Sequence, residues 1–140
     1  MNPIFIAALN EKFANQFTVE LAENKSFINF PEKSPDFGTV EIFEECLGAY
    51  IVYVGKFTHC HFDYYTGSEE EQSKEAAEDI IDLLENIFAD RIICYGSHSG
   101  GGGFFDKDDY EECACDEHTD YFIWSGIYKK GKANLKTPNA

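Results

Sequence analysis

The sequence predicts an α+β fold: a mainly antiparallel sheet of about six strands, with one principal amphipathic helix over about 68–90 packed on one face. Three observations carry that prediction. Phe17, Val19 and Leu21 alternate with polar residues, the period of a half-buried strand, and further strand-forming runs follow as far as Tyr65. One clear stretch, 77–88, repeats apolar residues at helical spacing. The 140 residues are 44% hydrophobic, with 13 Phe and 8 Tyr, which is enough for one packed core. The expected organisation is a single domain over 1–128 followed by a mobile basic tail over 129–140.

Taken in order, Ile4–Leu9 fits a strand or a short helix, and periodicity does not separate them. Phe17, Val19 and Leu21 alternate with polar residues, and Phe27, Ile28 and Phe30 follow. Together they predict a hairpin across a four-residue turn, Glu23-Asn24-Lys25-Ser26. Pro31 to Gly38 reads as a loop. Thr39–Phe43 is a strand, and the strongest strand signal is Ala49–Val54 followed by Phe57–Tyr65. Gly55-Lys56 between them suits a two-residue turn, which is preferred over one long strand bulged at Gly55. Ser68 and Glu71 have capping-box spacing and start the helix. Ala77, Ile80, Ile81, Leu84, Ile87 and Phe88 form its apolar stripe, with Glu75, Glu78, Asp79, Asp82 and Glu85 opposite. Ile92–Tyr95 is a short strand; if it pairs parallel to an earlier strand, the helix is the crossover. Gly96–Gly103 is a loop and Tyr121–Tyr128, with Trp124, the last strand.

The net charge of −15 is concentrated rather than spread. Thr66–Asp90 holds nine acids against Lys74, and Asp106–Asp120 holds eight against Lys107. The first block belongs to a solvated helix face. The second is denser and lies among aromatics: Phe104, Phe105, Asp106, Asp108, Asp109, Tyr110, Glu111, Glu112, Asp116, Glu117 and Asp120 are the candidate partner-binding residues. Like charges at that density cost free energy to hold compact, whereas a basic partner would be steered toward them. Direct binding of nucleic acid is not expected, since phosphates would meet repulsion. No apolar run is long enough for a membrane span, and no basic start precedes the short run at Ile4–Leu9, so a cytoplasmic location is expected. Five cysteines, an odd number, fit reduced thiols; Cys46, Cys60 and Cys94 sit in apolar runs as small hydrophobes.

Sites of chemistry are few. His59 and His61 alternate onto one face of a strand with Asp63. A zinc site would need Cys113, Cys115 or His118 as further ligands, and the spacing of those residues is not that of a zinc motif. No metal or cofactor is expected. The run Ser97-His98-Ser99 followed by four glycines lacks the Lys-Ser/Thr ending and the helix of a phosphate loop. Cys60 points away from its flanking histidines, and no nucleophile elbow surrounds Ser97 or Ser99, so no enzyme is expected. Asp106-Lys107-Asp108-Asp109 lacks the ligand alternation and the glycine of a calcium loop.

In acidity, size and aromatic-edged carboxylates, with Glu69–Glu85 and Phe104–Tyr121 carrying the likeness, the chain resembles immunity proteins of bacterial toxin–immunity systems, including contact-dependent growth inhibition. The resemblance implies a cytoplasmic binding protein that neutralises a basic toxin, often a nuclease, by occluding its active-site cleft. Two other readings remain: a small metal-binding or enzymatic domain using His59, His61 and His98, or an acidic adaptor subunit.

Overall fold

Asn2-Pro3 settles the first ambiguity, because the two residues together begin a helix. In a computed structural model, which describes residues 1–97, 100–114 and 116–133, helix α1 spans Pro3–Phe13. The Asn2 side chain accepts the N–H groups of Ile4 and Phe5 at 2.8 and 3.3 Å. Pro3 needs no such acceptor and brings a helical φ. Phe5, Leu9 and Phe13, four residues apart, form the buried stripe.

Strands β1 (Thr18–Ala22), β2 (Lys25–Phe30), β3 (Val40–Cys46), β4 (Ala49–Val54) and β5 (Thr58–Asp63) form an antiparallel sheet in chain order. The first turn is shorter than its four-residue expectation. Glu23 and Asn24 both adopt left-handed φ, 51° and 69°, the geometry of a two-residue hairpin turn that matches strand twist. Lys25 and Ser26 therefore belong to β2, opposite Ala22 and Leu21. The β4–β5 hairpin forms as preferred, with Val54 opposite Thr58, so its connection is Gly55-Lys56-Phe57, one residue longer than expected.

Helix α2 (Glu69–Phe88) begins with the capping box: Ser68 Oγ accepts the Glu71 N–H at 3.1 Å, and Glu71 Oε1 accepts the Ser68 N–H at 3.2 Å. Ala76, Ala77, Ile80, Leu84 and Ile87 are buried against the sheet face that carries Ile28, Phe30, Val40, Ile42, Tyr50, Val52 and Val54. Phe5 of α1 stacks on Tyr50 at 4.4 Å. Phe88 touches three other rings: Phe13 at 5.6 Å, Phe30 at 5.1 Å and Trp124 at 4.8 Å. The two helices thus share one layer over one side of the sheet.

The rest of the chain builds a second antiparallel sheet rather than extending the first. Its strands are β6 (Ile92–Tyr95), β7 (Gly103–Asp106), β8 (Tyr121–Ile123) and β9 (Gly126–Lys129), in the order β7-β6-β8-β9. Because β6 pairs antiparallel with β7 and β8, α2 is not a parallel crossover. The expected single strand 121–128 is a hairpin whose turn, Trp124-Ser125, pushes the indole inward against Phe37 at 5.6 Å. Asp90, at the end of α2, accepts the Ser125 N–H and hydroxyl at 3.0 and 2.7 Å and fixes that turn. Phe57 stacks on Phe122 at 5.1 Å, so the two sheets meet through aromatic rings. The fold is α+β with nine strands in two sheets among the described residues, and no described helix is long and apolar enough to cross a membrane.

Candidate interaction surface

Alternation along β7 separates its two phenylalanines. Phe104 lies opposite Cys94 and packs against the main core. Phe105 points to the other side of the small sheet. There it joins Tyr95 (5.9 Å), Tyr121 (5.9 Å) and Tyr110 (6.2 Å), and Tyr110 also meets Tyr128 at 5.1 Å. Over this cluster folds the acidic segment, as a 3-10 turn at Lys107–Asp109 and a one-turn helix α3 at Tyr110–Cys113. Tyr110 is the inward-facing residue of that segment. Lys107 lies over the Tyr128 ring and Lys129 over the Tyr110 ring, at 5.7 and 5.8 Å. Phe104 therefore spends its ring on the main core, while Phe105 and Tyr110 pack within the cluster that forms a base under the carboxylates.

The carboxylates divide into two sets. Asp106 accepts the Asp108 N–H at 2.9 Å. Asp116 accepts the His118 N–H at 2.9 Å; that bond, with a second from the Thr119 hydroxyl, holds its carboxyl below the usual carboxylate range. Asp120 accepts the Gly131 N–H at 2.6 Å and pairs with Lys130 at 3.5 Å. Glu117 pairs with Lys132 at 3.4 Å and lies 3.6 Å from His118. The backbone of Lys132 also bonds to Glu117, at 2.7 Å. Of the residues expected to form the tail, Lys129 ends β9 and 130–132 make these bonds, while 134–140 lie outside the described residues. Asp108, Asp109, Glu111 and Glu112 form the other set. All four are exposed, and none has a cation partner among the described residues. Beside them a cleft of about 170 Å³ runs between Tyr110 and Tyr121 on one side and Lys129 to Lys132 on the other.

The remaining candidate chemistry is dispersed. His59 and His61 stand exposed on β5 of the large sheet, their rings 5.0 Å apart. Cys113 and His118 belong to the segment over the small sheet. Cys115 and His98 lie outside the described residues. Among those described, no three His, Cys, Asp or Glu residues converge as a metal group would require. Cys60 and Cys94 face the core, where burial pushes both thiols up and away from the reactive thiolate. Cys46 is exposed rather than buried, because the strand bulges between Glu44 and Cys46. In the glycine loop, the Gly100 and Gly102 N–H groups bond back to Ser97, at 3.2 and 2.7 Å, so these donors are spent internally.

One feature escapes sequence reasoning altogether. The outer face of the large sheet carries a row of rings running from Phe27 through Phe43 and Tyr53 to His59, at centroid separations of 4.7, 5.6 and 5.7 Å. Phe27 and Ile51 are each only 9% exposed there, although the long helices α1 and α2 lie on the opposite face. Each residue sits on an alternating strand pattern, but only the register aligns them. No family model, curated protein or solved structure matches the chain.

Proposed function

We propose that this chain is a binding protein for a basic protein partner, and that Asp108, Asp109, Glu111 and Glu112 make the leading contact. One observation carries the reading: these four carboxylates stand exposed, with no cation partner among the described residues, on a segment anchored through Tyr110 to an aromatic base. Uncompensated acids on a fixed support repel one another at rest, and they gain most when a cationic surface arrives. Asp106, Asp116, Glu117 and Asp120 play a different part, shaping the segment and tying it to 130–132. In its specific form, the reading makes the partner a toxin domain, such as a nuclease with a basic cleft, and the chain its cytoplasmic immunity protein. The carboxylates would enter the cleft where substrate phosphates bind.

The test is co-expression with the product of the adjacent gene, followed by measurement of association rates against salt. Reversing Asp108, Asp109, Glu111 and Glu112 to Lys is expected to slow association by at least about tenfold and to flatten its salt dependence. Unchanged rates and an unchanged salt slope would refute the role given to these residues. Failure of the chain to protect cells from any neighbouring toxic product would refute the immunity reading.

A further inference from the structure

β1 is an edge strand of the large sheet, and all five of its residues are exposed. Edge strands present backbone N–H and C=O groups with no ladder partner, and proteins commonly blunt them with lysine, proline, a bulge or a covering element. Thr18–Ala22 contains neither lysine nor proline. Its pairing with β2 runs unbroken from Thr18 opposite Asn29 to Ala22 opposite Lys25, so no bulge turns it aside.

The two faces of this edge differ. Val19 and Leu21 lie on the helix-bearing side, opposite Ile28 and Ser26, and remain 50% and 77% exposed. Glu20 lies on the outer side, opposite Phe27. Two strands further in on that side is Glu41, whose carboxyl is pushed up first by burial and then by Glu20. Neither acid has a cation partner among the described residues. The edge therefore offers a ladder with no partner among the described residues, an apolar step on one face, and on the other the two acids against one base, Lys25 opposite Ala22.

We propose that β1 accepts an extended segment of another protein as a sixth strand, with apolar side chains over Val19 and Leu21 and lysine or arginine beside Glu20. Main-chain hydrogen bonds would hold such a segment, and its alternate side chains would select it. A second copy of this chain fits less well. It would bring another −15 of net charge and a second Glu20 to the same junction, where like charges oppose pairing. The inference goes beyond the reading above and uses none of its carboxylates.

The test is an NMR titration of the labelled full chain with a peptide of about seven residues alternating lysine and valine, long enough for one strand. The control is the same peptide methylated on alternate backbone nitrogens, which keeps its charge and loses its ladder donors. The expected result is shifts centred on Thr18–Ala22, slower amide exchange there, and at least tenfold weaker binding of the methylated peptide. Glu20→Lys, at an exposed position, should weaken the unmodified peptide roughly fivefold. Three results would overturn the proposal. One is equal binding of both peptides with shifts spread over α2 and 106–120, the mark of general charge attraction. Another is no binding at millimolar peptide. The third is concentration-dependent protection of β1 without peptide, which would make a second copy the occupant.

Discussion

Phe88 is one ring that meets α1, the large sheet and the Trp124 turn of the small sheet at once. Replacing it with alanine removes the contacts with Phe13, Phe30 and Trp124 and leaves a cavity at their junction. Core Phe→Ala changes cost about 3–5 kcal/mol; Phe88 is half-buried, which places it at the low end, about 3 kcal/mol. Aromatic pairing at roughly 0.5–1 kcal/mol per contact would account for about 2 kcal/mol of that. The loss raises the unfolded fraction by roughly 150-fold against a total stability of about 5–15 kcal/mol. Urea unfolding measures it directly. The single tryptophan, Trp124, is 8% exposed and reports the small sheet, while far-UV circular dichroism reports both sheets. The wild-type transitions should coincide, and the variant should unfold at lower urea with an unchanged slope. A loss below about 1 kcal/mol would refute the junction role. A tryptophan transition that precedes the dichroism change in the wild type would mean that the small sheet unfolds separately.

Four further predictions concern single positions. Asn2→Ala removes the cap of α1 and should cost about 1 kcal/mol by urea unfolding, with a cost near zero showing that Pro3 suffices. Glu23→Asn relieves a left-handed glutamate in the β1–β2 turn and should add roughly 0.5–1 kcal/mol; a thermal midpoint no higher than wild type would count against that turn geometry. Glu41 has a carboxyl raised above its ordinary 4.5, so its charged form opposes folding in full above that raised value, and the opposition shrinks as pH falls from there to 4.5 and is gone below it. Glu41→Gln should therefore raise the melting temperature at neutral pH and not in acid, and the reverse pattern would contradict the assignment. Tyr110→Ala should speed amide exchange over 107–113 at least about tenfold, since its ring contacts anchor the segment; equal acceleration in β4 would show that the effect is not local.

The elements that sequence alone predicts well are those specified within a few residues. The α2 start needs only Ser68 and Glu71, and the β4–β5 hairpin needs only Gly55 between two strand-forming runs. Helix α1 was also readable, since Asn2-Pro3 is a start signal, but the short apolar run behind it has no decisive period. The second sheet was not readable as a sheet. β7 and β8 are three or four residues long and pair with β6 across intervening segments, so the information that defines them is tertiary. Trp124, expected inside a strand, sits at a turn because burial against Phe37 and Phe88 outweighs local strand preference. At the candidate surface, charge was legible and direction was not. Composition marked 106–120 as acidic and aromatic, whereas only the fold shows which carboxylates serve the backbone and which remain unspent.

In the large sheet, each hydrogen-bonded strand neighbour is also the next strand in the chain. Every pairing there closes a loop of two to nine residues, so the entropy lost on closure is small at each step. Assembly can then advance strand by strand from the N-terminus, and α1 and α2 find their common surface complete before β6 is reached. In the small sheet β8 must bypass β7 to reach β6, which closes a much longer loop. Contacts of short sequence separation form fastest, which predicts the five-stranded meander as the early event of folding and the docking of Trp124 as the late one.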